Sequence, residues 1–275
     1  MRERAISAAV LVPVLRIVLA IDGPAIALAI ALITAIAAVE VFRLLRAAGH
    51  DVFPALGIVL AVTIVLDAAF PDVLDGSGML LAAIGVVLVG VAAMTHQDPR
   101  HGLVAWIATV FGAFYVSLLA FVIRLGNTAP AVPDGAPFDV LGAERGWILL
   151  LILAVWSYDT GAYLVGRQFG RTKFMSHISP AKTVEGLVGG VVATAVVVAV
   201  LLWALGQSPV HAVLLGPLVA LSAQAGDLAE SMLKRAAGAK DSGTLIPGHG
   251  GMLDRIDSFL FAAPVVSLYV VAAFR

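Results

Sequence analysis

The sequence predicts an all-α polytopic integral membrane protein with about nine transmembrane helices, N-terminus cytoplasmic and C-terminus outside. Three observations carry that expectation. The 275 residues are 61% hydrophobic and only 13% charged, with a mean hydropathy of +1.02, whereas soluble domains carry roughly 25% charged residues. Apolar runs of span length follow one another along the chain, and the basic residues crowd onto alternate connections. The first observation excludes a water-soluble single-core protein, a disordered chain and a nucleic-acid binder with a basic patch. The formal net charge of -1 says little beside where the charges sit. With no cysteine there is no disulfide, thiolate metal site or Cys nucleophile.

A hydrocarbon core of about 30 Å needs about 20 mostly apolar helical residues. Apolar runs near 5–21, 24–42, 53–70, 78–95, 102–123, 147–166, 184–205, 210–229 and 254–273 meet or approach that length. The first follows Arg2 and Arg4 and resembles a signal peptide. It passes straight into a second long run without a small-residue cleavage site, so it reads as a span.

Cytoplasmic connections hold the excess of Lys and Arg. With the N-terminus inside, the inner segments carry Arg2, Arg4, Arg43, Arg46, Arg100, Arg167, Arg171, Lys173, Lys182, Lys234, Arg235, Lys240 and Arg255, 13 of the 17 basic residues. Residues 1–145 form an N-terminal region of about five spans that ends in a turn-rich connection with Pro130, Pro133, Gly135 and Pro137. Residues 146–275 supply about four spans and gather polar residues in inside-facing stretches, so the chemistry is expected there.

Four stretches can carry it. Asp159, Tyr163 and Arg167 are spaced i, i+4, i+8 on one face at the cytoplasmic end of the sixth span. An Asp inside a span costs roughly 2.5–3.5 kcal/mol and usually lines a polar cavity, although an Asp–Arg lock between helices gives the same pattern. In Ser179-Pro180-Ala181-Lys182-Thr183-Val184-Glu185-Gly186, Ser179 as N-cap and Pro180 at the first turn suit a helix start. Free amides beside Lys182 and Thr183 also suit a phosphate. Asp227, Glu230, Ser231 and Lys234 form one polar stripe on the eighth span, and a divalent cation would relieve the cost of Asp227 at its depth. Lys240-Asp241-Ser242-Gly243 leads to Pro247-Gly248-His249-Gly250-Gly251, then to Asp254, Arg255 and Asp257 at the start of the ninth span. Glycines there allow φ > 0 and close backbone approach to phosphate oxygens. Two acids one helical turn apart suit Mg²⁺, whose shell phosphates and water complete. His249 serves as a base or as a phosphate donor. Together the stretches describe a metal-dependent membrane enzyme acting on phosphates, a chemistry that rests on positioning, metal and positive charge.

The run Ser231-Met232-Leu233-Lys234-Arg235, Lys240-Asp241-Ser242-Gly243 and Pro247 through Asp257 resembles the signature of the phosphatidate cytidylyltransferase (CDP-diacylglycerol synthase) family. The Asp159 to Arg167, Ser179 to Gly186 and Gly226 to Ser231 stretches resemble that family too, so the likeness in motifs covers about residues 157–257. The resemblance implies transfer of the cytidylyl group of CTP to phosphatidate with release of pyrophosphate. It implies Mg²⁺ with an accompanying K⁺, a homodimer, and a site facing the cytoplasm from a bacterial-type inner (cell) membrane. By motif position Asp227 and Asp254 hold the metal, with Asp257 in the same set, and Lys182, Lys240 and His249 join the catalytic group. Asp159, Tyr163, Arg167, Ser179, Thr183, Glu185, Ser231, Lys234, Arg235, Gly248, Gly250, Gly251 and Arg255 are the expected substrate contacts. Another CDP-lipid or polyprenol-phosphate transferase is the alternative, but the Asp-Gly-x-x-Ala-Arg stretch of CDP-alcohol phosphotransferases is absent. A secondary transporter would scatter its charges near mid-membrane, and here they cluster at one interface.

Overall fold

The computed structural model describes residues 23–71, 77–245 and 250–274. All regular structure among them is helical: α1 (Gly23–Ala47), α2 (Pro54–Ala69), α3 (Gly78–Ala93), α4 (Pro99–Ser117), α5 (Ala120–Thr128), α6 (Gly142–Phe169), α7 (Val184–Ala204), α8 (Ala212–Ala236) and α9 (Leu253–Ala273). An antiparallel bridge joins Lys173 to Thr183. Each expected span from 24–42 onward falls on helix. The expected span at 5–21 lies outside the described residues.

Among the described residues six helical segments are long and apolar enough to cross a membrane, one of them Pro99–Thr128, which combines α4 and α5. Helices α2 and α3 have 16 residues each, about 24 Å at 1.5 Å per residue and so short of a typical bilayer core. The expected span at 102–123 is interrupted at Leu118 and Leu119, where the chain tightens into i→i−3 bonds such as Leu119 N–H to Val116 O at 3.3 Å. No Pro or Gly announces that break.

Local chemistry sets the helix starts. Pro54 and Pro99 occupy first-turn positions, and the Asp98 carboxylate accepts the Arg100 N–H at 2.8 Å. Helix α7 begins later than its Ser-Pro pair suggests. Thr183 is the N-cap, extended at φ -130 and ψ 151, and its Oγ1 accepts from Gly186 N–H at 3.2 Å. Ser179 instead closes a turn, donating its N–H to Met175 O and accepting from Lys182 N–H. The N-cap role therefore belongs to Thr183.

Two apolar clusters organise the interior. One gathers α1, α2, α4 and α5 with the first half of α9, around Phe42, Leu60, Val116 and Leu260. The other gathers α6, α7, α8 and the second half of α9, around Trp147, Leu202, Leu215 and Val266. Helix α9 thus belongs to both. Outward faces carry large apolar residues such as Met79, Val91, Ile107, Val188 and Val196, the surface a lipid environment requires.

Small residues let the C-terminal helices meet closely. At the α6–α7 crossing, a Cβ on Gly166 would sit 3.4 Å from the Gly186 Cα, and one on Gly161 would meet Gly189 O at 3.0 Å. At the α8–α9 crossing, Gly226 lies directly against the Asp257 carbonyl. These contacts draw the polar ends of the four helices together.

Candidate active site

The end of α6, the 170–183 connection and the start of α7 enclose a cleft of about 520 Å³ lined by Asp159, Tyr163, Arg167, Lys173, Lys182 and Thr183, with Gln224 of α8 at its side. The i, i+4, i+8 spacing of Asp159, Tyr163 and Arg167 does place all three on one wall, and Arg167 Nη1 donates to the Tyr163 hydroxyl at 3.1 Å. The bridge between Lys173 and Thr183, with Phe174 N–H to Lys182 O at 3.3 Å, holds together the two segments whose lysines, Lys173 and Lys182, line the same cleft. Lys182 forms an ion pair with Asp227 of α8, each side chain about a quarter exposed. Glu185 serves the connection instead of the cleft, for its carboxylate accepts the N–H groups of Arg171 and Thr172 at 3.0 and 3.1 Å. Arg235 Nε donates to Ile178 O at 3.4 Å and ties the end of α8 to the same connection. Ser179 and Ser231 are both half-buried.

A second polar centre lies where α8 meets α9. Lys234 Nζ bridges Glu230 Oε2 and Asp254 Oδ1, both at 2.6 Å. The other Asp254 oxygen accepts Ser242 N–H at 2.9 Å, the Ser242 hydroxyl at 2.8 Å and Gly251 N–H at 2.8 Å. Asp254 therefore organises the chain around it through every acceptor it has. Gly250 adopts φ +79, a left-handed conformation, and a Cβ there would meet Asp254 Oδ2 at 2.5 Å. Lys240 and Arg255 are exposed, and the Arg255 charge reaches Asp159. Gly248 and His249 lie outside the described residues.

The two centres share an electrostatic neighbourhood. The charges of Asp227 and Asp159 both reach Asp257, and that of Asp257 reaches Glu230. Among the described residues no three His, Asp or Glu side chains converge into a metal cage. Mg²⁺ needs none, because it commonly takes one or two carboxylates and fills its octahedron with water and substrate phosphates. The donors here are all hard oxygens, and Glu230 Oε1 is buried without a hydrogen-bond partner, so the set fits such an ion. Asp227, which is partly exposed, and Asp257 could hold it if Lys182 shares or releases the Asp227 carboxylate; for Asp254 to join, Lys234 must yield.

Sequence reasoning gave no site role to five side chains, although Glu230 and Ser242 fell within its polar stretches. Lys173 stands in the cleft wall and Gln224 at its edge; Gln224 accepts a hydrogen bond from Tyr158. Glu230 and Ser242 bracket Asp254. Glu40 of α1 reaches Ser242 and the start of α9 from more than 200 residues away. Polar residues within apolar runs, Glu40 and Gln224 above all, were the available signal.

The cytidylyltransferase family model matches residues 2–273. The chain is 36% identical over 290 residues to a phosphatidate cytidylyltransferase of Synechocystis sp., covering 98% of this chain and 96% of that one. It is 44% identical over 127 residues to the phosphatidate cytidylyltransferase of Staphylococcus aureus, covering 46% of this chain and 49% of that one. To phosphatidate cytidylyltransferase 5, chloroplastic, of Arabidopsis thaliana it is 38% identical over 191 residues, covering 64% and 47% of the two chains. The chain belongs to the cytidylyltransferase family of nucleotidyltransferases.

Proposed function

We propose that the chain transfers the cytidylyl group of CTP to phosphatidate, giving CDP-diacylglycerol and pyrophosphate for phospholipid synthesis. The observation that carries this reading is the cleft whose lysines and arginine face acids at the ends of apolar helices, in a chain of this family. In the reaction an oxygen of the lipid phosphate attacks the α-phosphorus of CTP. The bond from that phosphorus to the bridging oxygen breaks in line, and pyrophosphate leaves with the bond's electrons. Such a transfer asks the protein for positioning and charge more than for covalent chemistry.

Arg167, Lys173 and Lys182 bind phosphate oxygens in the cleft, with Arg255 and Lys240 at its exposed side. Lys182 is held toward the cleft by Asp227, and Thr183 sets the helix start behind it. Asp227 and Asp257, with Asp254, would hold Mg²⁺, which when bound neutralises phosphate charge and polarises the α-phosphorus; K⁺ is the second ion the family resemblance implies. The Gly250 backbone, together with Gly248 and His249, contributes donors to the nucleotide, while the Gly251 N–H holds Asp254. The lipid's acyl chains lie against the apolar groove of about 600 Å³ on the α6–α7 pair, where Leu164, Val165, Val188 and Val192 face outward.

The same reading sets the site at the cytoplasmic face of a bacterial-type inner membrane, in a nine-span chain with the N-terminus inside and two copies per enzyme. The excess of Lys and Arg on alternate connections supports it. The decisive assay is pyrophosphate release by the purified protein in micelles. Turnover is expected only when CTP, phosphatidate and Mg²⁺ are all present; release without phosphatidate, or none with all three, refutes the reaction. Orientation has its own test, since the chain has no native cysteine. In intact cells an impermeant thiol reagent should label a cysteine at Gly135 and spare one at Lys240; the opposite pattern reverses the topology.

A further inference from the structure

Glu40 is the only acid in α1, and it is 3% exposed. A carboxylate buried in a span is costly unless donors surround it. Its donors come from the far end of the chain: Met252 N–H to Oε1 at 2.9 Å, Leu253 N–H to Oε2 at 2.7 Å and the Ser242 hydroxyl to Oε2 at 3.0 Å. The first N–H groups of any helix lack partners within it. Met252, at the N-cap of α9, offers no side-chain cap. Glu40 caps that helix from another element, and its charge suits the positive end of the helix dipole.

The consequences reach Asp254. Ser242 Oγ lies between two carboxylates, Glu40 and Asp254, and its one proton serves one of them at a time. Ser242 N–H and Gly251 N–H both point at Asp254 Oδ2. Of the groups that fix Asp254, Glu40 thus shares Ser242, and its other two partners, Met252 and Leu253, lie between Gly251 and Asp254 in the chain. Two glycines make room for it: a Cβ on Gly251 would stand 2.5 Å from both Glu40 oxygens, and one on Gly243 2.6 Å from Oε1.

We propose that Glu40 is a positioning residue for the nucleotide site, fixing Ser242 and the first turn of α9 so that Asp254 is held ready. The role rests on the cytidylyltransfer reading above, and it makes an N-terminal helix part of the catalytic apparatus. The test uses the full chain in phosphatidate-containing micelles. Glu40→Gln keeps the size but leaves one acceptor oxygen and turns an NH₂ donor toward backbone N–H groups. A fall of about 30- to 100-fold in kcat/KM for CTP is expected, with the KM for phosphatidate nearly unchanged. Amide exchange supplies a readout independent of turnover: Met252 and Leu253 should exchange at least about tenfold faster, while Val266 and Val270 of the same helix keep their protection. Ser242→Ala, which leaves Glu40 in place, should move CTP kinetics in the same direction by about tenfold. In a Glu40→Gln/Asp254→Asn double variant the loss should not exceed that of Asp254→Asn alone. Wild-type CTP kinetics in Glu40→Gln overturn the proposal. So does an unfolded Glu40→Gln accompanied by a normal Ser242→Ala, because Glu40 then only fastens the two halves together. If the wild-type protein shows no turnover, the cytidylyltransfer reading fails instead, and the exchange measurement still decides whether Glu40 holds α9.

Discussion

Polar side chains in α1 to α5 mostly bond to backbone near them. Thr109 donates to Ala105 O at 2.7 Å, Ser117 to Phe114 O at 2.9 Å, and Thr128 to Arg124 O at 2.8 Å. The His96–Asp51 contact, at 3.7 Å, sits on an exposed connection. In α6 to α9 such local bonds recur, as from Ser157 to Ala154 O and Thr194 to Gly190 O, but side chains also bond to side chains between elements: Lys182 to Asp227, Lys234 to Asp254, Tyr158 to Gln224. A bond to nearby backbone relieves a polar group wherever it lies in a membrane. A charged pair between two helices works only at one register, so it restricts how those helices pack. The C-terminal helices accept that restriction around the candidate site, and through Glu40 an N-terminal helix enters the same polar network.

The sharpest way to break this contrast is Asp227→Asn, which keeps the volume, removes a charged oxygen and strands Lys182. Activity should fall by about a thousandfold, some 4 kcal/mol in the barrier, while the melting temperature moves by only a few degrees. Turnover within tenfold of wild type would mean that the pair merely locks α8 to the 170–183 connection. Gly250→Val comes next. A β-branched residue at φ +79 is strained and would press on Asp254, so use of CTP should fall by about a hundredfold. Wild-type CTP dependence in that variant would place the nucleotide elsewhere.

Lys234→Met shifts the comparison from rate to stability. It leaves Glu230, 1% exposed, and Asp254, 8% exposed, without their shared cation. Stranding a buried charge costs about 3–5 kcal/mol, or roughly 6–20 °C in melting temperature for a chain of this size; thermal unfolding in detergent measures it. A shift under 2 °C would show that the bridge contributes little. The smallest effect belongs to the N-terminal half. Asp98→Ala removes the cap of α4 and should cost about 1 kcal/mol with unchanged turnover. Lost activity there would blur the division between the two regions.

Much of the fold was legible in the sequence because lipid imposes a length and an apolar composition that can be read along the chain. Eight of the nine expected runs fall on the described helices for that reason. What escaped was geometry without a local signature. The break at Leu118–Leu119 sits between ordinary helix formers, and Thr183 took the cap from Ser179 because Ser179 was drawn into a turn with Met175. In the site, helical spacing put Asp159, Tyr163 and Arg167 on one wall. Spacing could not show that Glu185 would turn to the Arg171 and Thr172 amides. Nor could it reveal that Gly251 stays small because a carboxylate from α1 lies against it. Contacts spanning 200 residues are set by packing, and a single sequence has no periodicity that records them.

The Gly226 crossing bears on mutational tolerance. With no side chain between Gly226 and the Asp257 carbonyl, the separation of α8 from α9 at that level is a hard stop of backbone on backbone. Asp227 adjoins Gly226 and Asp257 carries that carbonyl, so main-chain contact fixes how closely the backbones bearing the two acids approach. Even Ala at position 226 would wedge the two acids apart. Substitutions among the lipid-facing valines should therefore leave the fold intact, while any side chain at position 226 should disturb it.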